Sequence, residues 1–385
     1  MRGKVITLLA RLGTGSKHRP DVLNHARMQQ DGSVDIHGDG FALRYKDPSE
    51  PLPQGLVPLR WLANMGKQAG PRGSARFDAV PGSTRLAARI KTSTYGVDVS
   101  PCADDFPAVP APSAETHGPV ALSVADWAKG GGVAQAASFA SSDAARAHLY
   151  GVYLGIEIAA TDGCTLTRRE ALGFMPGISG VLPLPAVQAV LKLVAETCPT
   201  EMVAHVGPPT KKMHTDDREI VLTARAEHGV VWRLVTTLVH GFPDMDELNR
   251  VQHQAENMLV DGYVVESTLV EVDAADMREL WLPLRTTRSM ELAVYKDGAM
   301  LCWGDGTNGI GTTLRAMPTE KPAFVLGLAT LPLIAKRLPP KGRVKVRTSG
   351  LGHSCTIAGE VFMQMRHESL PEHVQQSLAV AFAAA

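Results

Sequence analysis

Residues 31–40 read DGSVDIHGDG, and residues 297–306 repeat the pattern as DGAMLCWGDG. In both segments Asp-Gly opens a strand-like run that ends in Gly-Asp-Gly. A third segment, YLGIEIAATDG at residues 153–163, ends in the same Asp-Gly pair. Asp-Gly between strand-like runs indicates a hairpin, because both residues tolerate positive φ. The three closing pairs predict one supersecondary unit that is used three times along the chain.

Predicted helices recur with a similar step. Three segments have Pro near the first turn and apolar residues at helical spacing, and they contain Pro58, Pro185 and Pro332. Further helices are predicted at residues 4–12, 123–139 and 273–281, with Asp273 as an N-cap. Each unit is therefore an α+β module of helix, strands, helix and strands. The alternative is three unrelated α+β segments whose hairpins coincide by chance.

The predicted domain boundaries lie in Pro-rich or polar stretches. We expect one α+β module at each of residues 1–115, 116–245 and 246–367, followed by a C-terminal extension at 368–385.

Of the 385 residues, 44% are hydrophobic and 20% are charged, which excludes a disordered or fibrous chain. Lys and Arg number 39, as do Asp and Glu, so the formal net charge is zero. This disfavours a protein that coats nucleic acid by bulk charge, but it allows a basic surface balanced by an acidic one.

The spacing of the cysteines and the length of the apolar segments indicate the cellular compartment of the protein. The five cysteines are dispersed, with no CxxC pair and no histidine cluster at zinc spacing. This favours reduced thiols over a disulfide framework or a metal site. The opening MRGKVITLLARLG reads as a short helix, and no apolar stretch approaches the roughly 18 residues of a membrane span. We expect a soluble, cytoplasmic protein.

The middle of the chain carries a resemblance to a known family. Residues 146–151 form an Arg-x-x-Leu-x-Gly segment, residues 161–166 form Thr-Asp-Gly-x-x-Leu, and residues 241–244 read Gly-Phe-Pro-Asp. Asp-Asp-Phe-Pro at 104–107 and Val-Phe-Met-Gln-Met-Arg at 361–366 match the ends of the first and last domains. In these segments the chain resembles the bacterial sliding clamp, the β subunit of the replicative DNA polymerase holoenzyme, over about residues 4–367.

The resemblance implies a fold and a function. In that family each subunit has three tandem clamp domains, each with two helices packed on a β-sheet, and two subunits form a head-to-tail ring with helices lining the bore. The ring holds double-stranded DNA topologically, without sequence preference, and tethers a polymerase; its other partners include the clamp loader. The subunit has no active site, so we expect no catalytic residues, no cofactor and no metal. The implied location is the cytoplasm, in association with the nucleoid.

Helices that face a duplex need positive side chains, because the phosphate backbone is negatively charged. Contacts to phosphates carry no sequence information, so no base-reading geometry is needed. The alternative for each basic residue is an ordinary solvated helix face. The candidate DNA-facing residues are Arg11, Arg60, Lys67, Lys129, Arg146, Lys192, Arg278, Arg285, Lys336 and Arg337.

The resemblance also implies a peptide-binding pocket between the central and last domains. It takes a short Gln/Leu/Phe-bearing peptide from partner proteins, and an apolar groove with Met suits several such peptides. The matching residues are Leu149, Thr161, Gly163, Leu166, Pro243, Leu248, Val361, Phe362, Met363 and Met365. The alternative is that these are ordinary core residues. Cys164-Thr165, residues 245–247 and Gln364 depart from the family pattern, so partner choice is expected to differ.

The extension at residues 368–385 is predicted to be an amphipathic helix. Leu370, Val374, Leu378 and Phe382 recur at steps of four. One hypothesis is that this tail covers the peptide pocket; the alternative is that it packs elsewhere or is disordered.

Three classes of function remain in competition. The first is a sliding clamp, and the second is a specialised paralogue with the clamp fold that serves an accessory polymerase or modulates a host clamp. The third is an unrelated α+β enzyme, but the sequence contains no recognisable catalytic constellation. The GxGxxG match at residues 304–309 lacks a following helix and coincides with the repeated turn, which disfavours dinucleotide binding.

Overall fold

The computed structural model divides the chain into two compact units. Unit 1 comprises Met1–Ala160 and Arg168–Phe242, and unit 2 comprises Thr161–Thr167 and Pro243–Ala385. The residues that the structure describes are 1–14, 20–99, 105–113, 115–163, 165–172, 178–209, 216–243, 259–260, 263–264, 268–280, 290–304, 310–327, 342–348, 354–357, 360–363 and 370–383. The three domain boundaries drawn from the sequence stay a prediction.

Unit 1 alternates helices with runs of antiparallel strands. Its first half contains α1 (Gly3–Gly13), β1 (His25–Met28), β2 (Ser33–Gly38), β3 (Phe41–Lys46), β4 (Gly55–Pro58), α2 (Leu59–Ala69), β5 (Arg76–Ala79), β6 (Arg85–Ile90) and β7 (Ser93–Asp98). Next come β8 (His117–Leu122), α3 (Val124–Trp127), α4 (Gly132–Ala136), β9 (Gly151–Leu154), β10 (Glu157–Thr161) and β11 (Thr165–Glu170). The unit ends with β12 (Gly180–Pro183), α5 (Leu184–Thr197), β13 (Glu201–Pro209), β14 (Arg218–Arg225) and β15 (Val231–Leu238).

Unit 2 follows the same alternation. It contains the short strands β16 (Leu259–Val260) and β17 (Tyr263–Val264), then β18 (Thr268–Asp273) and α6 (Ala274–Leu280). Seven further strands and a final helix follow: β19 (Met290–Val294), β20 (Met300–Gly304), β21 (Ile310–Thr312), β22 (Phe324–Gly327), β23 (Arg343–Thr348), β24 (Ser354–Ile357), β25 (Glu360–Met363) and α7 (Glu372–Ala383). The first residues of β11, Thr165–Thr167, also belong to unit 2.

An eight-stranded sheet joins the two halves of unit 1. Its strand order is β4-β1-β2-β3-β15-β14-β13-β8, so two four-stranded groups meet where β3 pairs with β15. That antiparallel pairing runs from Phe41 opposite Thr236 to Lys46 opposite Val231. Val34, Ile36, Leu43 and other alternating side chains of this sheet belong to the core that also contains the apolar faces of α1, α2 and α5. The buried face therefore fixes the register of the strands.

Small residues bring α1 and α2 close together. A Cβ atom on Gly66 would lie 2.8 Å from the backbone nitrogen of Thr7, and one on Gly3 would lie 2.9 Å from the Cβ of Ala69. Those distances leave no room for a larger side chain, because neither a backbone atom nor the Cβ of an alanine can move aside as the end of a flexible side chain can. The two helices therefore pack as one layer on the sheet.

The repeated Asp-Gly turns are present where the structure describes them. Of the closing pairs, Gly40 connects β2 to β3 at φ 73° and Gly163 lies at φ 93° after β10. Of the opening pairs, Gly32 lies between β1 and β2 at φ 80° and Gly298 connects β19 to β20 at φ 87°. The Asp297 carboxylate accepts a hydrogen bond from the backbone nitrogen of Ala299 at 3.0 Å, which stabilises that turn. Residues 305–309 lie outside the described residues.

The predicted helices are confirmed at five of the six described places, among them the C-terminal helix α7. Helices α1, α2 and α5 begin near their predicted positions, and Asp273 caps α6 by accepting hydrogen bonds from the backbone nitrogens of Ala275 and Asp276 at 2.8 and 3.2 Å. The single helix predicted at 123–139 is wrong: it is two short helices, α3 and α4, separated at residues 128–131. Gly130 there adopts φ 86°, which ends a helix. The helix predicted around Pro332 lies outside the described residues.

The C-terminal extension packs on unit 2. Leu370, Val374, Leu378 and Phe382 of α7 and its approach contact Tyr295, Leu301, Trp303 and Val325 on one face of the β21-β20-β19-β22 sheet. The opposite face, with Leu292, Val294, Met300 and Cys302, packs against Met277 and Leu280 of α6. The apolar stripe of the tail is therefore buried against this sheet, as in the alternative that the tail packs elsewhere.

None of the described helices combines the length and the apolar character that a membrane crossing needs. Within the same residues, no three His, Cys, Asp or Glu side chains are grouped so that they could hold a metal ion.

Candidate nucleic-acid interface

The exposed faces of α1, α2 and α5 are basic. Lys4 and Arg11 lie two helical turns apart on α1, and Arg60 and Lys67 have the same spacing on α2. Lys192 is exposed on α5. Residues seven apart share one face of a helix, so each cationic pair lies opposite the apolar stripe of its own helix.

Acidic residues are nearly absent from these three helices. The sequences GKVITLLARLG of α1 and LRWLANMGKQA of α2 contain none, and LPAVQAVLKLVAET of α5 contains only the half-buried Glu196. Five exposed cations therefore accompany one carboxylate on a protein whose total formal charge is zero. A cationic surface of this kind attracts a phosphate backbone without reading bases.

The other predicted DNA-facing residues have different environments. Lys129 is exposed, but it lies in the turn between α3 and α4 and not on a helix, which corrects the prediction. Arg146 is exposed in a bend and pairs with Asp143, with Nε 3.3 Å from the Asp143 carboxylate. Arg278 is half-buried on α6, whose exposed Asp276 and Glu279 make that helix acidic. Arg285, Lys336 and Arg337 lie outside the described residues.

The structure describes part of the predicted peptide pocket. In unit 2, β11 pairs with β25, which places Leu166 opposite Val361 and Thr165 opposite Phe362. Leu166 and Thr161 are buried, and the Thr161 hydroxyl accepts a hydrogen bond from the backbone nitrogen of Gly163 at 3.0 Å. In unit 1, Leu149 is buried, while Pro243 of unit 2 is half-buried.

The remaining pocket predictions have less support. Val361, Phe362 and Met363 are described as strand backbone alone, and Leu248 and Met365 lie outside the described residues. The antiparallel pairing of β11 with β25 therefore places two of the predicted pocket residues, Leu166 and Val361, opposite each other.

Two charged features of unit 1 are not among the residues predicted from the sequence. Lys4 is one of them, although its seven-residue spacing from Arg11 was a usable signal. The second feature is a buried ionic cluster on the sheet of unit 1, centred on Asp35, whose carboxylate is fully buried between Arg27 and Arg44. No local motif marks such a cluster, because its members come from three strands that only the register aligns.

Comparisons with known proteins identify the fold. No protein-family model matches the chain, and no curated protein matches its sequence. Among solved structures, the β subunit of the DNA polymerase of Streptococcus pyogenes is similar with a TM-score of 0.65 at 14% identity, over 95% of this chain and 97% of that one. The DNA polymerase sliding clamp of Caulobacter crescentus is similar with a TM-score of 0.65 at 16% identity, over 94% of this chain and 96% of that one.

A third similar structure was solved with a bound peptide. It is the Helicobacter pylori β clamp bound to a DNA ligase peptide, with a TM-score of 0.62 at 13% identity, over 95% of this chain and 97% of that one. Because the similarity in all three cases extends over nearly the whole of both chains, the protein has the fold of the bacterial sliding clamps.

Proposed function

We propose that this protein is a sliding clamp, a processivity factor that encircles duplex DNA and tethers a DNA polymerase or another partner to it. The observation that supports this most directly is the basic surface of α1, α2 and α5, with five exposed cations and one carboxylate, on a chain with the clamp fold. Contacts to phosphates position a protein on DNA without selecting a sequence. A closed ring cannot leave the duplex that it encircles, so the individual contacts between its cations and the phosphates need only be weak.

The strand topology supports closure by a second copy. Within the described residues the strands form six three-stranded meanders, which end at β3, β7, β11, β15, β21 and β25. Two antiparallel pairings, β3 with β15 and β11 with β25, each join the ends of two meanders. The ends that remain, β7 and β21, are edge strands in that part of the chain. We propose that β21 of one subunit pairs with β7 of another, which makes a head-to-tail dimer.

Retention on circular DNA tests the proposed function. A clamp loaded on nicked circular DNA should remain bound through gel filtration at high salt, and it should be lost when the circle is cut. Cutting opens an exit for a ring but leaves ordinary phosphate contacts unchanged. Equal retention before and after linearisation would contradict a topological link.

Neutralising the basic helix faces tests their role. The triple substitution Arg11→Gln, Arg60→Gln and Lys67→Gln should weaken binding to duplex DNA. It should also reduce the slope of log K against log salt by roughly 0.9 for each phosphate that is no longer neutralised. The matched control is Arg76→Gln with Arg85→Gln and Arg89→Gln, three exposed arginines on β5 and β6, which removes the same number of charges outside these helices. An equal weakening in the control would mean that net charge, and not the helix surface, sets the affinity.

We also propose a peptide-binding site that includes Thr161, Gly163, Leu166 and strand β25, with Pro243. The support is the pairing of Leu166 with Val361 and the ligase peptide bound by the Helicobacter pylori clamp. Pro243→Lys should weaken binding of a labelled Gln/Leu/Phe-bearing peptide at least about tenfold, or roughly 1.4 kcal/mol. Leu172→Lys, at a position that is 70% exposed, is the control and should bind as the unaltered protein does.

A specialised clamp paralogue, serving an accessory polymerase or modulating another clamp, is the second candidate. Cys164-Thr165 favours it, because these residues depart from the clamp pattern within the predicted peptide site. A strictly monomeric protein that is never retained on circular DNA would select this candidate over the first.

A further inference from the structure

Three arginines and one aspartate form a row across four neighbouring strands of the eight-stranded sheet. Arg27 on β1 lies opposite Asp35 on β2, Asp35 lies opposite Arg44 on β3, and Arg44 lies opposite Arg233 on β15. The residues on either side of Asp35, Arg44 and Arg233 in their strands belong to the helix-covered core. Because side chains alternate along a strand, the row lies on the opposite, outer face.

The Asp35 carboxylate is fully occupied by its neighbours. Arg44 donates to it from Nε at 2.7 Å and from a terminal nitrogen at 2.8 Å. Arg27 donates to it at 2.8 and 3.3 Å, and Gln29 donates at 2.8 Å. Asp35 therefore has little remaining capacity to accept a hydrogen bond from a third arginine.

Arg233 has a buried hydrogen-bond donor without an acceptor in the described part of the chain. Its Nε is buried and has no hydrogen-bond partner among the described residues. Burial, followed by the adjacent positive charge of Arg44, lowers the pKa of Arg233 from its ordinary value. Like charges directly opposite each other on neighbouring strands are destabilising, and an unsatisfied buried donor costs free energy.

The segment that connects the halves of unit 1 borders this row. Phe106 is buried against Arg27, with the guanidinium carbon 5.2 Å from the ring centroid, and its carbonyl accepts a hydrogen bond from Arg27 at 3.3 Å. Val109 is buried against Val221 and Val235, with Ala42 beside them. Apolar groups next to a charge reduce its solvation, which strengthens its attraction for an anion.

We infer that Arg233 and Arg44 bind a phosphate group on the outer face of the sheet, at the seam where β3 pairs with β15. Guanidinium groups bind oxyanions through paired, charge-assisted hydrogen bonds, and a dianion would offset the repulsion between the two arginines. The site is separate from the basic helix faces, because it lies on the other side of the sheet from α1 and α2. It does not depend on the proposed clamp function.

Titration of the full chain with inorganic phosphate tests this inference. At constant ionic strength, with sodium chloride as the reference salt, calorimetry should give a saturable isotherm with half-saturation on the order of 1 mM, a weak but specific affinity. Phosphate should also raise the melting temperature, because it binds only the folded sheet. Arg233→Gln should lose both effects and, without phosphate, should melt no lower than the unaltered protein. Arg85→Gln, an exposed arginine on β6, should keep both effects.

Two results would overturn the inference. One is the same isotherm for the unaltered protein and for Arg233→Gln, which would indicate binding elsewhere; the other is a linear response without saturation, which would indicate an adventitious ion only. If Arg233→Gln does not fold, Arg233→Lys decides the question. It keeps the charge but loses the paired donors, so it should bind at least several-fold more weakly, and unchanged binding would exclude the assigned geometry.

Discussion

Asp35 holds together the outer face of the eight-stranded sheet. Its side chain is 0% exposed and accepts hydrogen bonds from two arginines on the adjacent strands. The cluster raises the pKa of Arg44, chiefly through its hydrogen bonds to Asp35. A buried carboxylate between two guanidinium groups adds little to the free energy of unfolding compared with well-packed apolar residues in the same place. Removal of one member is nevertheless costly, because it leaves the other charges unpaired.

We therefore expect Asp35→Ala to be strongly destabilising. The free energy of unfolding should fall by about 3 kcal/mol, because Arg27 and Arg44 lose their acceptor while remaining partly buried. Chemical denaturation monitored by circular dichroism measures this change. The control is Asp31→Ala, whose side chain is 50% exposed in its pair with Lys46 and should cost less than about 1 kcal/mol. Similar losses for both substitutions would show that burial does not distinguish the two carboxylates.

The lowered pKa of Asp31 predicts how the stability of the protein depends on pH. The Ser33 hydroxyl and the Lys46 ammonium, which donate to its carboxylate at 2.6 and 2.9 Å, lower the pKa of Asp31 from 3.8 to about 2. A lowered folded-state pKa stabilises the protein above 3.8, and this contribution is lost as the pH falls to about 2. The stability difference between the unaltered protein and Asp31→Asn should disappear across this window. A difference that persists at the acidic end would contradict the assignment.

Among the elements, α7 has the clearest energetic role. Leu378 and Val374 are buried against the sheet that carries Trp303, whereas Val380 on the same helix is 71% exposed. The sheet face beneath α7 is apolar, so without the helix it would be an exposed patch of the kind that promotes association. The extension is thus a third layer of unit 2, with α6 on the other side of the same sheet.

Substitutions in α7 should separate its buried and exposed faces. Leu378→Asp should destabilise unit 2 by about 3 kcal/mol, because a charge would replace a packed side chain, and Trp303 fluorescence should shift towards that of a solvated indole. Val380→Asp carries the same new charge at an exposed position and should change stability by less than about 0.5 kcal/mol. Denaturation followed by tryptophan fluorescence measures both. Equal effects would mean that α7 is not packed as described.

At the scale of the whole molecule, the proposed dimer makes a prediction about β7 and β21. Sedimentation should give twice the 41.1 kDa chain mass at high concentration, with dissociation on dilution. Amide hydrogen exchange in Ser93–Asp98 and Ile310–Thr312 should be slower in the dimer, because an added strand would pair their open edges. Strand β4 is the control, since it is an edge that the proposed pairing does not use. Protection of β4 alone would place the interface elsewhere.

Local structure could be read from the amino-acid sequence wherever turn chemistry and apolar spacing agree. The Asp-Gly turns at Gly40 and Gly298 and the helices α1, α2, α5 and α6 were predictable because each depends on residues within a few positions of one another. The helix predicted at 123–139 is interrupted for a local reason as well: three consecutive glycines, Gly130–Gly132, lie within its apolar spacing and disfavour a continuous helix.

The meeting of distant residues depends on the folded sheet and could not be read from the sequence. The register of β1, β2, β3 and β15 aligns Arg27, Asp35, Arg44 and Arg233, although Arg233 is far from the others in the chain. The apolar stripe of α7 is readable from its spacing, but the surface that it covers is not, because several apolar faces of the chain were compatible with it. Local propensities fix elements, whereas the pairing of elements depends on burial and registry summed over the whole sheet.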